Sequence, residues 1–249
     1  MNMYHSVIPY SRIAPYYDHM MDHVDYAMWS RYIDSLLKFF NVKDRSIIDL
    51  SCGTGSFGQN FPLRGRSLFS GDLSLAMLRQ AVNKGLQKKT PFFCADACFL
   101  PFKKNSTEVV IFLYDSINYL LEDSAVLLLL KEIYRVLRPG GVFIFDVVTP
   151  YICRKVFLDY HESHVQNGNG YERRGWYVED EQMQYNEFVV YRKGKTYLET
   201  HRQRIRPLQD WDFLIGQTSL RVIGRLTEFS FRPPHARSER VHYICQKKR

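Results

Sequence analysis

The sequence has 249 residues, 45% of them hydrophobic, enough to bury one core or one core with a small appended subdomain. No apolar run approaches the roughly 20 residues of a membrane span; the longest, residues 125–130, gives way to Lys131-Glu132. The formal net charge of +8 is uneven, with 16 Lys+Arg against 14 Asp+Glu over residues 1–150 and 18 against 12 over residues 151–249.

That excess fits an anionic substrate, a nucleic acid or a plain solvated basic face. Five cysteines form no paired framework, so reduced thiols are expected. Cys94 and Cys98 lie four apart with no second pair at zinc-ligand spacing, and they read as buried small side chains; no metal is expected. The start, MNMYHSVIPYSR, has neither a basic leader with an apolar segment nor a cleavage site, which points to a cytoplasmic protein.

Residues 1–40 read as two helical pieces, the second with Met28, Tyr32, Leu36 and Phe39 on one stripe. This segment precedes the first strand and carries a dense polar-aromatic set: Tyr16, Tyr17, Asp18, Asp25, Tyr26 and Trp29. With no place in the sheet, it packs outside or folds over a cleft.

Residues 47–58, IIDLSCGTGSFG, are an apolar strand entering a turn with Gly53, Gly55 and Gly58. Two glycines one residue apart let the backbone bend sharply and approach a ligand that a Cβ would exclude. The pattern also fits the dinucleotide fingerprint, with Asp72 as the ribose acid. Asp49, which closes the strand, would repel a pyrophosphate and suits a cationic amino group instead.

A second strand, residues 67–72, ends at Asp72, whose carboxylate can accept both ribose hydroxyls or cap the following helix. Leu73 follows it, and Met77 on that helix is a candidate for adenine contact or for the core. A third strand, residues 91–95, is followed by Asp96 and Ala97, where a carboxylate and the next N–H can read an adenine edge. Residues 108–114 form the fourth strand, leading through Tyr114 and Asp115 to Asn118 and Tyr119. The helix 124–137 stops at Arg138-Pro139-Gly140-Gly141 and turns into the fifth strand, residues 142–148.

After residue 151 the texture changes. Gly168, Asn169 and Gly170 mark a loop, His161 and His164 lie in a segment that reads as loop, and alternation over 175–178, 184–192 and 196–206 predicts antiparallel strands. In THRQRIR, His201, Gln203 and Ile205 share one face and Arg202, Arg204 and Arg206 the other, as on a solvated basic edge strand. A helix at 208–219 and strands at 220–231 and 239–247 close the chain.

The order Asp49, Ser51, Cys52, Gly53, Thr54, Gly55, with acids at the ends of three successive strands and the closing hairpin, resembles the class I S-adenosylmethionine-dependent methyltransferases. Ser51 stands where that family commonly has glycine. The aromatic segment and Asp-Ser-x-Asn-Tyr-Leu are similar to a bacterial small-molecule subgroup related to amine N-methyltransferases. The resemblance implies an α/β, Rossmann-like, doubly wound seven-stranded sheet of order 3-2-1-4-5-7-6 with an inserted antiparallel subdomain. It divides the chain into a lid (1–45), a cofactor-binding core (46–150), an insert covering the substrate (151–206) and a completing helix and hairpin (207–249).

It further implies S-adenosylmethionine held by Tyr17, Tyr26, Trp29, Asp49, Ser51, Gly53, Gly55, Asp72, Leu73, Met77, Asp96, Ala97, Tyr114 and Asp115. Asn118, Tyr119 and His201 would face a small-molecule acceptor, an amine or an anionic compound among the candidates, and no catalytic base is named. The alternatives are an RNA or protein acceptor, a regulatory cofactor-binding protein without catalysis, and an NAD-dependent oxidoreductase. No membrane partner is expected, and the protein is read as a monomer or homodimer.

Overall fold

The computed structural model describes residues 4–248. In chain order the strands and α-helices are β1 (His5–Val7), α1 (Tyr17–Met20), α2 (Tyr26–Phe39), β2 (Ser46–Asp49), α3 (Ser56–Asn60), β3 (Ser67–Asp72), α4 (Leu75–Asn83), β4 (Phe92–Cys94), β5 (Thr107–Phe112) and α5 (Asp123–Val136). There follow β6 (Leu137–Val148), α6 (Pro150–Val156), β7 (Tyr160–Gln166), β8 (Asn169–Val178), β9 (Met183–Arg192), β10 (Lys195–Arg204), α7 (Leu208–Gly216), β11 (Leu220–Thr227) and β12 (Arg240–Lys247).

Seven strands form one sheet in the order β4-β3-β2-β5-β6-β12-β11, parallel except for the closing hairpin. Counting only the strands of this sheet, that order is 3-2-1-4-5-7-6, as expected. The central strands are buried on both faces because helices cover both. Ile47, Val109, Ile111 and Ile144 pack under α2, while Ile48, Val110, Phe112 and Phe145 pack under α5 and α7.

The second sheet, β1-β10-β9-β8-β7, corrects several expectations. The N-terminal segment does have a place in a sheet: His5–Val7 pairs in parallel with Tyr197–Glu199. Residues 1–3 of the stretch read as helical lie outside the described residues. On α2 the buried stripe is Trp29, Tyr32, Ile33, Leu36 and Leu37, with Phe39 exposed, so the stripe is rotated from the one expected. The loop expected near 168–170 is a two-residue hairpin turn, Asn167-Gly168, both left-handed (φ 49° and 70°), joining β7 to β8. Asn-Gly is the pair that such a turn favours.

His161 and His164 therefore lie on a strand, where the His164 ring packs at a tilt against His19 with centroids 3.9 Å apart. β1 flanks β10 only at Tyr197–Glu199, and beyond it Arg202 is exposed as expected, but Arg206 is buried rather than solvated. Its guanidinium donates to the carbonyls of Leu120 and Leu121 and to Asp123. All five cysteines are free; Cys98 is buried, but Cys94 is exposed on the short outer strand. Among the described residues no helix is long and apolar enough to cross a membrane.

Candidate active site

β2 ends at Asp49 and enters a turn in which Gly53 and Gly55 are left-handed (φ 54° and 82°). A Cβ on Gly53 would meet the Met77 methyl at an ordinary 3.4 Å and one on Gly55 would press on the Leu86 side chain at 2.7 Å, so conformation favours glycine at both and space adds to it at Gly55. Met77 lies beneath this turn, buried, at the start of α4. The neighbouring strand supports the turn from its own tip. Asp72 accepts the Gly53 N–H at 2.9 Å and the Ser74 N–H at 2.8 Å, which ties the two strand ends together.

Above the turn is a pocket walled by Asp49, Ser51, Gly53, Tyr17, Trp29 and Tyr114, with Tyr26 beside them. Asp49 is buried, and its near contact is the Ser51 N–H at 3.4 Å. Burial, with help from the charge of Asp72, pushes its carboxyl up to about 7; burial raises Asp72 to about 6 in spite of the backbone N–H groups that donate to it. Among the described residues neither carboxylate has a salt-bridge partner, so this pocket has an unmet demand for a cation.

Asp96 sits at the next strand tip, exposed, accepting the Cys98 N–H at 2.8 Å, with Ala97 half-buried after it. Around these tips Leu73 (71% exposed) and Phe99 (68%) present bare apolar surface. Of the three strand-end acids, Asp49 alone lines the enclosed pocket. Asp72 adjoins it through the glycine turn, and Asp96 stands outside on the open flank.

The fourth strand of the nucleotide-type sheet stops earlier than the expected Tyr114. Tyr114 and Asp115 are both left-handed (φ 60° and 50°), which no strand accommodates. Buried Asp146 on the adjacent strand holds them there by accepting their N–H groups at 2.6 and 2.9 Å. Arg240 neutralises this cluster, pairing with Asp146 and, at 2.8 Å, with Asp115, while its guanidinium lies over the rings of Trp29 and Tyr114. The Asp115 carboxylate is thus committed to Arg240 and, at 2.7 Å, to Gln203, rather than free for a ligand.

Two further ties close the N-terminal segment over the turn. Asp18 on α1 accepts from the Thr54 hydroxyl and pairs with Lys84 at 2.7 Å, and Ile13, Met20 and Met21 pack on Tyr171, Phe188 and Val190 of the second sheet. That sheet turns an unusually polar face inward: Gln184, Asn186, Glu199, His201 and Gln203 are all buried on β9 and β10. Tyr119 reaches it, its hydroxyl 2.9 Å from His201 Nδ1. Burial lowers the His201 pKa, opposed by Glu199, so its ring is held neutral. The amide of Asn118 is wholly buried with neither nitrogen nor oxygen partnered by protein.

A sequence profile described as a methyltransferase domain matches residues 47–141. YqeM of Bacillus subtilis, named only provisionally as a methyltransferase, is 28% identical over 96% of this chain and 97% of its own. The crystal structure of an S-adenosylmethionine-dependent methyltransferase from Clostridium acetobutylicum superposes with a TM-score of 0.79 at 23% identity, covering 95% of this chain and 98% of the other. Residues 47–141 thus match a methyltransferase domain, and the whole chain shares the fold of an S-adenosylmethionine-dependent methyltransferase. The sugar N-methyltransferase KedS8 from a Streptoalloteichus species also shares the fold (TM-score 0.72, 18% identity, 93% and 91% covered).

The residues present fit S-adenosylmethionine: a buried carboxylate without a counter-ion among the described residues faces a pocket floored by a turn held left-handed at Gly53 and Gly55. Sequence reasoning missed Tyr10, Glu199, Asp146 and Arg240. Glu199 carried a readable signal, since it lies two residues from His201 and alternation places both on one face. Asp146 and Arg240 meet only through the register that pairs β12 with β6, which no local pattern reveals.

Proposed function

We propose that this methyltransferase acts on a nitrogen of a small polar molecule. The observation that carries the reading is the wall beside the cofactor pocket: a sheet whose buried inner face is built from Gln184, Asn186, Glu199, His201 and Gln203 in place of aliphatic side chains. These groups are held by bonds within the protein, and the buried amide beside them without a protein partner is that of Asn118; a buried polar group is costly unless it meets a hydrogen-bonding partner, which suits an acceptor rich in polar groups. The sugar N-methyltransferase among the fold neighbours supports the choice of nitrogen.

The cofactor, when bound, supplies a methyl group made electrophilic by its sulfonium. In our reading Asp49 takes the cationic amino group, the free lone pairs of Asp72 take the ribose hydroxyls, and Asp96 with the Ala97 N–H reads the adenine edge between Leu73 and Phe99. Ser51, Gly53 and Gly55 let the backbone approach, and Tyr17, Tyr26 and Trp29 close over the methionine end with Tyr114. Residues 1–45 serve as lid, 46–150 as cofactor core, 151–206 as acceptor wall and 207–249 as the completion of the core. Orientation and exclusion of water supply most of the acceleration in such a displacement. Asn118, whose amide lacks protein partners, and Tyr119 orient the acceptor. The five free thiols fit a reducing compartment.

An RNA acceptor is the weaker reading, because two of the three arginines in THRQRIR are spent internally: Arg204 and Arg206 both pair with Asp123. Calorimetry should give micromolar-range binding of S-adenosylhomocysteine, lost on Asp72→Ala. Incubation with the cofactor and a metabolite extract should then yield a polar amine heavier by about 14 mass units, a CH₃ in place of an H. Labelling of RNA alone would overturn the acceptor class.

A further inference from the structure

One carboxylate on the acceptor wall has two sets of partners. Glu199, fully buried on β10, accepts the backbone N–H of Tyr10 at 2.7 Å and of Ile13 at 3.1 Å, the N–H of Arg12, and the Ser11 hydroxyl at 3.3 Å. Its other contact is His201 Nε2 at 3.2 Å. An ionised carboxylate only accepts, so a neutral His201 carries its proton on Nε2 and leaves Nδ1 as an acceptor.

Tyr119 Oη lies 2.9 Å from that nitrogen, and Tyr10 Oη lies 2.7 Å from Tyr119 Oη. The bonds then run in one direction: Tyr10 to Tyr119, Tyr119 to Nδ1, and Nε2–H to Glu199. Tyr10 stands between the two halves of the site, its ring edge-on to His201 at 4.6 Å and to Tyr17 at 5.9 Å, and its carbonyl accepts from Ser74 beside Asp72. The groups facing His201 are Glu199 from its own strand, Phe188 and Arg173 from the same sheet, Tyr119 from the core and Tyr10 from the lid.

Resting on the nitrogen-acceptor reading above, we propose that Glu199 is a positioning residue for methyl transfer. It fixes His201 with Nδ1 ready to take a proton through Tyr119, and the same carboxylate docks residues 10–13, so the complete chain exists only with the lid closed. When the C–N bond forms, the C–S pair stays on sulfur and the acceptor nitrogen carries one proton too many. That proton passes to Tyr119 Oη as the proton of Tyr119 moves to His201 Nδ1. Tyrosine ends neutral, the imidazolium forms beside Glu199, and no oxidant or further reactant is needed. Undocking of the lid then opens the charged pair to water, where His201 sheds the proton.

The test uses the full chain with S-adenosylhomocysteine as the probe. Nitrogen-resolved NMR of the histidine rings should find wild-type His201 neutral with hydrogen on Nε2, and amide exchange should find Tyr10, Arg12 and Ile13 protected. Glu199→Gln places an amide donor against Nε2 and should move the hydrogen to Nδ1, with protection of those three amides falling by about tenfold or more. His201→Gln should leave the amides protected. A wild-type ring with hydrogen on Nδ1, measurable whether or not any variant folds, overturns the proposal, as does an unchanged tautomer in Glu199→Gln. Absence of binding heat for S-adenosylhomocysteine in the wild type would instead strike the methyl-transfer reading, since the ring and amide signals are observable without it.

Discussion

The hydroxyl of Thr54, inside the glycine turn, donates to the carboxylate of Asp18 on the lid at 2.5 Å. The glycine turn and the segment over it are therefore joined by a charged hydrogen bond. Such a bond contributes about 1.5–3 kcal/mol. Thr54→Val keeps the shape and removes the donor, and S-adenosylhomocysteine should leave about tenfold faster or more. Stopped-flow displacement measures this. An unchanged off-rate would mean that the lid is held by its other contacts alone.

Cofactor binding should depend on pH through Asp49. With its carboxyl at about 7 and that of Asp72 at about 6, the empty site holds protons that an ordinary carboxylate has lost. A ligand with a cationic amino group selects the ionised form. Affinity should therefore rise by about tenfold per pH unit below 7 and level off above it. The same sign governs the ligand-free fold: a raised carboxyl pKa gives a stability contribution that is complete below about 4 and is lost as pH climbs through about 7. Calorimetry in buffers of differing ionisation heat should detect proton release on binding at pH 6. Asp49→Asn should bind weakly, without that release.

Arg240 should matter more to stability than to ligand contact. Removing it leaves the fully buried Asp146 unpaired at the point where two successive residues are held left-handed. Breaking a buried pair by deleting one partner costs about 3–5 kcal/mol. Urea unfolding of Arg240→Ala should show that loss, and a change below about 1 kcal/mol would show that water or a neighbour replaces the guanidinium.

The sequence disclosed the main sheet because its central strands are apolar runs that stop at Asp or Gly, and these signals are local. It concealed β1, three residues long, whose partner Tyr197–Glu199 lies at the far end of another sheet. It concealed β7 because that strand is polar on both faces, although Asn167-Gly168 was a legible hairpin signal. In the pocket, Asp49 and the aromatic Tyr17, Tyr26, Trp29 and Tyr114 are residues the sequence singled out, while Asp96 stands outside it. Asp115 misled, since a carboxylate at a strand tip looks available until the partner arriving from residue 240 is seen.

The chain leaves the main sheet after Val148 to build most of the second sheet and returns at Ile205, and these two residues pack together with Cys153. An excursion whose ends meet can be lengthened, trimmed or re-sequenced while the strands that carry Asp49 and Asp72 keep their places. What such an excursion must preserve is its grip on the rest of the chain, the Glu199 contacts to residues 10–13 and the Gln203 bond to Asp115.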